Sequence, residues 1–350
     1  MKPVVFIIGL LLVASCMQDK NAQPIVKPYS YYHWNTFLEN TPQLQERLKM
    51  AGSDTLYIRF FDLAVDKQQD AVLPIATLQI DTVLTLPVNH IVPVIYIKNE
   101  VFLHKDGSAA QAAVLASNLA SKIKRLFQSH FKNSIVKQVQ IDCDWTDSTQ
   151  EAYFTFLKTL KQQVDFVSIN ANQPTQLTAT IRLHQVKYRE RTGVPPVDRG
   201  VIMVYNVGDL GDVNEQNSIV NNATTATYLG RLKEYPLGYD IALPVFSWYV
   251  VYRNNKLTAV INEIDATTLS KNTTRATVNK IKVHTPFNTG TTYLYKDDII
   301  RKESVTAAQL KELATLVKKE AAQDYNTILY HINASVLNNL PTYEIEQSIK

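Results

Sequence analysis

Apolar and β-branched runs recur along this chain, separated by stretches whose apolar residues repeat every three to four positions. The runs are Tyr29–Trp34, Thr55–Asp62, His90–Lys98, Val136–Trp145, Leu177–Val186, Gly200–Tyr205, Tyr239–Trp248 and Thr327–Ile332. Runs that are apolar throughout belong to strands buried on both faces, as in parallel sheets. Helical spacing is clearest at Ala109–Phe131, Thr149–Gln163, Thr224–Lys233 and Thr306–Asp324. Strands alternating with helices predict a parallel sheet with crossover helices, and eight such strands predict closure into an α/β, (β/α)8 TIM barrel. The rival, an open doubly wound sheet, is disfavoured because neither GxGxxG nor GxxxxGKS/T occurs, and no cofactor is expected. Residues 254–305, rich in Thr, Asn and Lys, break the rhythm. They read as a short β-rich insertion between strands seven and eight, either a flap over the mouth or a lateral hairpin.

Composition narrows the class. With 45% hydrophobic and 19% charged residues in 350, the chain has the make-up of a globular protein with a sizeable core. A net charge of +4 without a basic cluster does not suggest nucleic acid as a partner.

The N-terminus suggests an address. Lys2, the apolar run Val4 to Val13 and the small residues Ala14-Ser15 follow the order of an export signal too short to span a bilayer. Val13-Ala14-Ser15-Cys16 resembles the lipobox of bacterial lipoproteins. That resemblance implies a signal segment with lipobox over residues 1–16, cleavage before Cys16, lipidation of Cys16 and attachment to the membrane through it. Met17, rather than Asp, follows the cysteine, so the outer membrane is the expected destination. Residues 17–28 then form a polar tether, and 29–350 the barrel domain. Cys143 is left as a single cysteine, which excludes an intramolecular disulfide and suits a small buried residue under a helix.

The strand ends carry the candidate chemistry, because α/β barrels place their sites at the C-terminal face. Val139-Gln140-Ile141-Asp142-Cys143-Asp144-Trp145 ends a buried run in two carboxylates. On an extended strand Asp142 and Asp144 share a face, and crowding raises their affinity for protons. His33 and Trp34, Arg59 and Asp62, Tyr96, Arg182 and His184, Tyr205 and Asn206, Trp248, and His331 close the ring. Acids, aromatic rings and amides together suit sugars, whose hydroxyls need polar partners and whose C–H faces stack on rings. The competing reading is a salt-bridge network of Arg59, Arg182 and the aspartates that fills the barrel. No HxH or HExxH spacing supports a metal at His33, His184 or His331. The stretch Lys187 to Arg199, stiffened by Pro195-Pro196, reads either as a ligand loop or as solvated charge.

Asp142-x-Asp144, Met203-x-Tyr205-Asn206 and Ala242-Leu243-Pro244-Val245-Phe246-Ser247-Trp248 resemble motifs of the family 18, chitinase-like glycoside hydrolases. A similarity to TIM-barrel lipoproteins of Bacteroidota-type bacteria accompanies it. The family resemblance implies that Asp144 orients an acetamido group, that Tyr205 hydrogen-bonds it and that Asp142 supports from within. It also implies a catalytic glutamate at position 146, where this chain has Thr146. The expectation is a cell-envelope lipoprotein whose barrel binds, and as an enzyme would hydrolyse, an oligosaccharide. In the enzymatic case Asp144 is the expected proton donor, with Tyr205, Arg182 and His184 positioning the sugar. The alternative is a non-catalytic glycan-binding or envelope-assembly protein.

Overall fold

The computed structural model describes residues 27–80, 84–131, 133–163, 166, 174–333, 336 and 341–349. Cys16, the export signal and most of the tether lie outside the described residues.

Eight parallel strands form the barrel: β1 (Tyr29–His33), β2 (Gly52–Asp66), β3 (His90–Ile97), β4 (Gln138–Asp142), β5 (Gln176–Arg182), β6 (Arg199–Met203), β7 (Tyr239–Pro244) and β8 (Thr327–Tyr330). Each pairs with the next, and β1 pairs with both β2 and β8, so the sheet closes. Every strand coincides with a run read from the sequence. β2 is longer than expected, and its overhanging end pairs antiparallel with Ala71–Ile75. No helix crosses from β2 to β3 among the described residues.

Local sequence explains the helices that flank the barrel. Helix Pro42–Ala51 starts where the Thr41 hydroxyl accepts from the Leu44 N–H at 3.2 Å, with proline in its first turn. It stops at Gly52, whose φ of 68° favours glycine. Helix Ala112–His130 buries Leu115, Ala116, Leu119, Ala120, Ile123 and Phe127, a stripe at helical spacing. Helix Ala307–Glu320 opens with a capping box between Thr306 and Gln309.

Polar groups inside the barrel are layered. Near the N-terminal ends, Arg199 grips Asp240 and the Gln138 amide donates to the Tyr57 hydroxyl at 2.9 Å. Above them Tyr32 donates to Gln140. In the upper layer the register places Asp62, Tyr96 and Asp142 on neighbouring strands.

The insertion departs from the expected boundaries and form. β7 ends at Pro244, and the insertion begins at Ser247 rather than 254. Ser247–Arg253, Lys256–Ile261, Thr273–Arg275, Lys280–Val283 and Ile299–Ser304 form a five-stranded antiparallel sheet, more than a flap or a hairpin. It has its own small core of Val251, Ile261, Ile264, Val283, Phe287, Leu294 and Ile300. A buried carboxylate docks it on the barrel. Glu303 accepts from Arg301, from the Trp248 indole at 2.7 Å and from the Ser218 hydroxyl at 2.6 Å. Arg301 in turn donates to the Asp212 carbonyl at 2.7 Å.

Candidate functional site

β4 ends at Asp142, so Asp144 stands on the loop beyond it. Asp142 is buried and accepts from the Thr180 hydroxyl at 2.6 Å. Burial, with the charge of Asp144 added, pushes its carboxyl up to about 7. Both oxygens of Asp144 accept from Arg182 in a two-pronged ion pair. That arrangement corrects the expected roles. The carboxyl with raised proton affinity is Asp142, and Asp144 is an acceptor held by a guanidinium, unlike a free proton donor.

Thr146, where the motif resemblance implies a glutamate, carries a hydroxyl engaged with its own loop. Thr146 Oγ1 lies 3.0 Å from Ser148 Oγ and 3.3 Å from the Asn99 amide. Its backbone N–H donates to Thr149 Oγ1, which itself donates to Asn99 at 2.6 Å. Asp147 is exposed and faces Arg191 at 3.4 Å. Trp145, which follows the two aspartates, turns away from the mouth. It is buried against Tyr153 and Phe154, and its indole donates to the Thr192 carbonyl at 2.8 Å. Cys143 is buried, and that burial pushes its thiol up.

Four tyrosines line the space around Asp142. Tyr205 and Tyr330 stack with ring centres 5.1 Å apart, and Tyr32 packs edge-on against Tyr330. Burial pushes the Tyr96 hydroxyl up to about 12, with Asp144 and Asp142 adding to it. Tyr205 is raised for the same first reason. Arg182, His184, Tyr205 and Asn206 border a recess of about 80 Å³. Asn206 has a φ of 56°, and its buried side-chain oxygen has no hydrogen-bond partner. His184 lies on the helix Leu183–Lys187, not on β5 as expected, because the strand stops at Arg182.

A larger cleft of about 610 Å³ opens over β1 and β8. It gathers four of the expected residues, His33, Trp34, Arg59 and His331, with Asn262 and Glu263 of the insertion. Arg59 donates to Asp62 at 2.6 Å and to the Trp34 carbonyl at 3.2 Å, with its guanidinium 5.5 Å from the Trp34 ring. His33 and His331 are buried, and each has an Nδ1 without a partner. Burial holds both imidazoles down at about 4, so they are neutral at ordinary pH. Trp248 is elsewhere, its N–H committed to Glu303 in the docking of the insertion.

Sequence reasoning missed Phe37, Glu39 and Glu263, which also line this cleft. Phe37, in a two-residue strand paired with Gln79–Ile80, and Glu39 lie in the segment between β1 and helix Pro42–Ala51, and reading that whole segment as barrel rim would have found them. Glu263 had no signal, since only the fold of the insertion brings it there. The charged stretch after β5 is tied down by ion pairs: Arg189 meets Glu234 at 3.1 Å and Arg231 meets Glu190 at 3.4 Å. Among the described residues no three His, Cys, Asp or Glu side chains converge as a metal set would.

Neither a protein-family model nor a curated protein matches the chain. Solved structures do. A family 18 chitinase from Cycas revoluta, crystallised as a double mutant in complex with (GlcNAc)4, aligns at 10% identity with a TM-score of 0.50, over 91% of this chain and 98% of that one. The spore cortex-lytic enzyme SleL of Bacillus cereus aligns at 14% identity and TM-score 0.49, over 93% of this chain and 75% of that one. A family 18 N-acetylglucosaminidase from Paenibacillus barengoltzii aligns at 11% identity and TM-score 0.48, over 92% and 98%. At such identities the likeness speaks for architecture, and the chain is a closed (β/α)8 barrel of the form seen in the Cycas chitinase.

Proposed function

We propose that this protein is a glycan-binding barrel that holds an oligosaccharide at its mouth without cleaving it. The observation that carries this reading is Thr146, bound into a hydroxyl–amide network with Ser148, Thr149 and Asn99. Glycosidic cleavage needs a proton donor beside the scissile oxygen, and threonine is not an acid of useful strength. Asp144, the next candidate, is gripped by Arg182. The binding half of the reading draws on the cleft over β1 and β8, which combines aromatic faces with amide, imidazole and carboxylate groups. It draws also on the shared fold of the Cycas chitinase, which holds (GlcNAc)4.

Calorimetric titration with N-acetylglucosamine and glucan oligosaccharides, followed by chromatography of the mixtures, tests the reading. Heat of binding with unchanged oligosaccharides is the expected result. Shortened products would establish hydrolysis instead. That second reading has its own support in Asp142, whose carboxyl stands at about 7. Asp142→Asn would then abolish turnover.

The same proposal puts the protein at the cell envelope, anchored through Cys16 in the outer membrane, on the strength of Val13-Ala14-Ser15-Cys16 followed by Met17. Cells fed an alkyne fatty acid should label the wild type and not Cys16→Ser. An unlabelled wild type would contradict the anchor.

A further inference from the structure

The cleft over β1 and β8 is electrostatically lopsided. Glu39 and Glu263 both line it, both are exposed, and neither has an ion pair among the described residues. The cation beside them, Arg59, is already spent: its fork grips Asp62 and its third nitrogen donates to the Trp34 carbonyl. A carboxylate pair on a rim is often no more than solvated charge. Here a second feature accompanies it. His33 and His331, each only 6% exposed, line the same cleft with ring nitrogens that lack partners. Buried polar atoms without partners cost stability, and a ligand that binds them recovers part of that cost. Burial keeps both rings neutral, so they place no positive charge against an incoming cation. Phe37, 44% exposed, adds a flat face at the rim.

We propose that this cleft selects glycans bearing free amino groups, of the glucosamine type, over their N-acetylated counterparts. The inference rests on the glycan-binding reading and names the ligand class for that site. A protonated sugar amine meets Glu39 on the barrel loop or Glu263 on the insertion. The imidazole nitrogens take hydroxyl groups, and the sugar's C–H face lies on Phe37. N-Acetylation removes the charge and adds bulk where the carboxylates stand. Two part-exposed ion pairs, at about threefold each, amount to roughly tenfold in affinity.

The test is calorimetric titration of the full chain with a glucosamine tetramer and an N-acetylglucosamine tetramer, at mildly acidic pH where the sugar amines are protonated. The glucosamine tetramer should bind about tenfold more tightly. Glu39→Gln and Glu263→Gln should each cut that preference about threefold, and the double variant should remove it while its melting curve stays that of the wild type. Equal or tighter binding of the acetylated tetramer overturns the amine inference and leaves the glycan reading intact. A preference that survives the double variant overturns the assignment to this cleft. Failure of both tetramers to bind overturns the inference, and failure of the glucan oligosaccharides as well overturns the glycan reading with it.

Discussion

Over β2, β4 and β5 the barrel mouth is closed on itself: Arg59 grips Asp62, Arg182 grips Asp144, and Thr180 donates to Asp142. Over β1 and β8 the same mouth leaves polar groups without partners. Two buried imidazoles keep nitrogens without partners, and two carboxylates stand without ion pairs among the described residues. The first region is more acidic by sequence, and its Asp-x-Asp spacing draws the eye first. Yet its charges are consumed by internal partners, as buried charges must be for a fold to persist. The second has no motif, and its unspent hydrogen-bonding capacity is what a ligand can use. Pairing of charged groups, more than their density, separates scaffold from site here.

The comparison can be broken most forcefully at Arg59. Its ion pair with Asp62 is largely buried, so Arg59→Ala strands a carboxylate and should cost about 3 kcal/mol in a urea melt. A loss below about 0.5 kcal/mol, the size of a neutral surface change, would mean that the closed side is not structural.

Asp142 gives a smaller, pH-dependent effect. Its carboxyl is raised when folded, so the folded chain keeps a proton that the unfolded chain releases between about pH 4 and 7. The associated stabilisation is complete below about pH 4 and is lost as pH rises through about 7. Asp142→Asn cannot titrate. It should therefore gain on the wild type across this window, by on the order of a few kcal/mol, in melts taken at pH 4.5 and 8. Parallel pH profiles for the two proteins would show that Asp142 is not the buried acid described.

The smallest effect on stability belongs to the open side. Phe37→Ala should leave the melt within about 0.5 kcal/mol yet weaken oligosaccharide binding roughly threefold to tenfold. A change in stability without a change in affinity would reverse the roles of the two regions.

Much of the barrel was legible because strands buried on both faces must be apolar throughout, and β1 to β8 each overlap such a run, β2 extending beyond it at both ends. The ends of strands were less legible. Val245-Phe246-Ser247-Trp248 continues the apolar run of β7, which hid the break at Pro244 and assigned Trp248 to the mouth. Likewise Asp144 was read as strand, although β4 stops two residues earlier. The strand Ala71–Ile75 was missed because Pro74 argues against a central strand, and it is in fact an edge. Within the mouth, the residue types were readable and their partners were not. Arg182 and Asp144 are 38 positions apart, and only barrel closure brings such residues together. The network of Arg59, Arg182 and the aspartates, weighed as the alternative to a sugar site, is what occupies the closed side. Glu263 required the fold of the insertion before it could be placed at all.

The most direct test is a crystal of the protein soaked with glucosamine and N-acetylglucosamine tetramers. The account predicts an unbroken oligosaccharide lying over β1 and β8, against Phe37 and between Glu39 and Glu263, with the Arg182–Asp144 pair undisturbed. A sugar seated on Asp142 and Asp144, or cleavage products in the mouth, would contradict it.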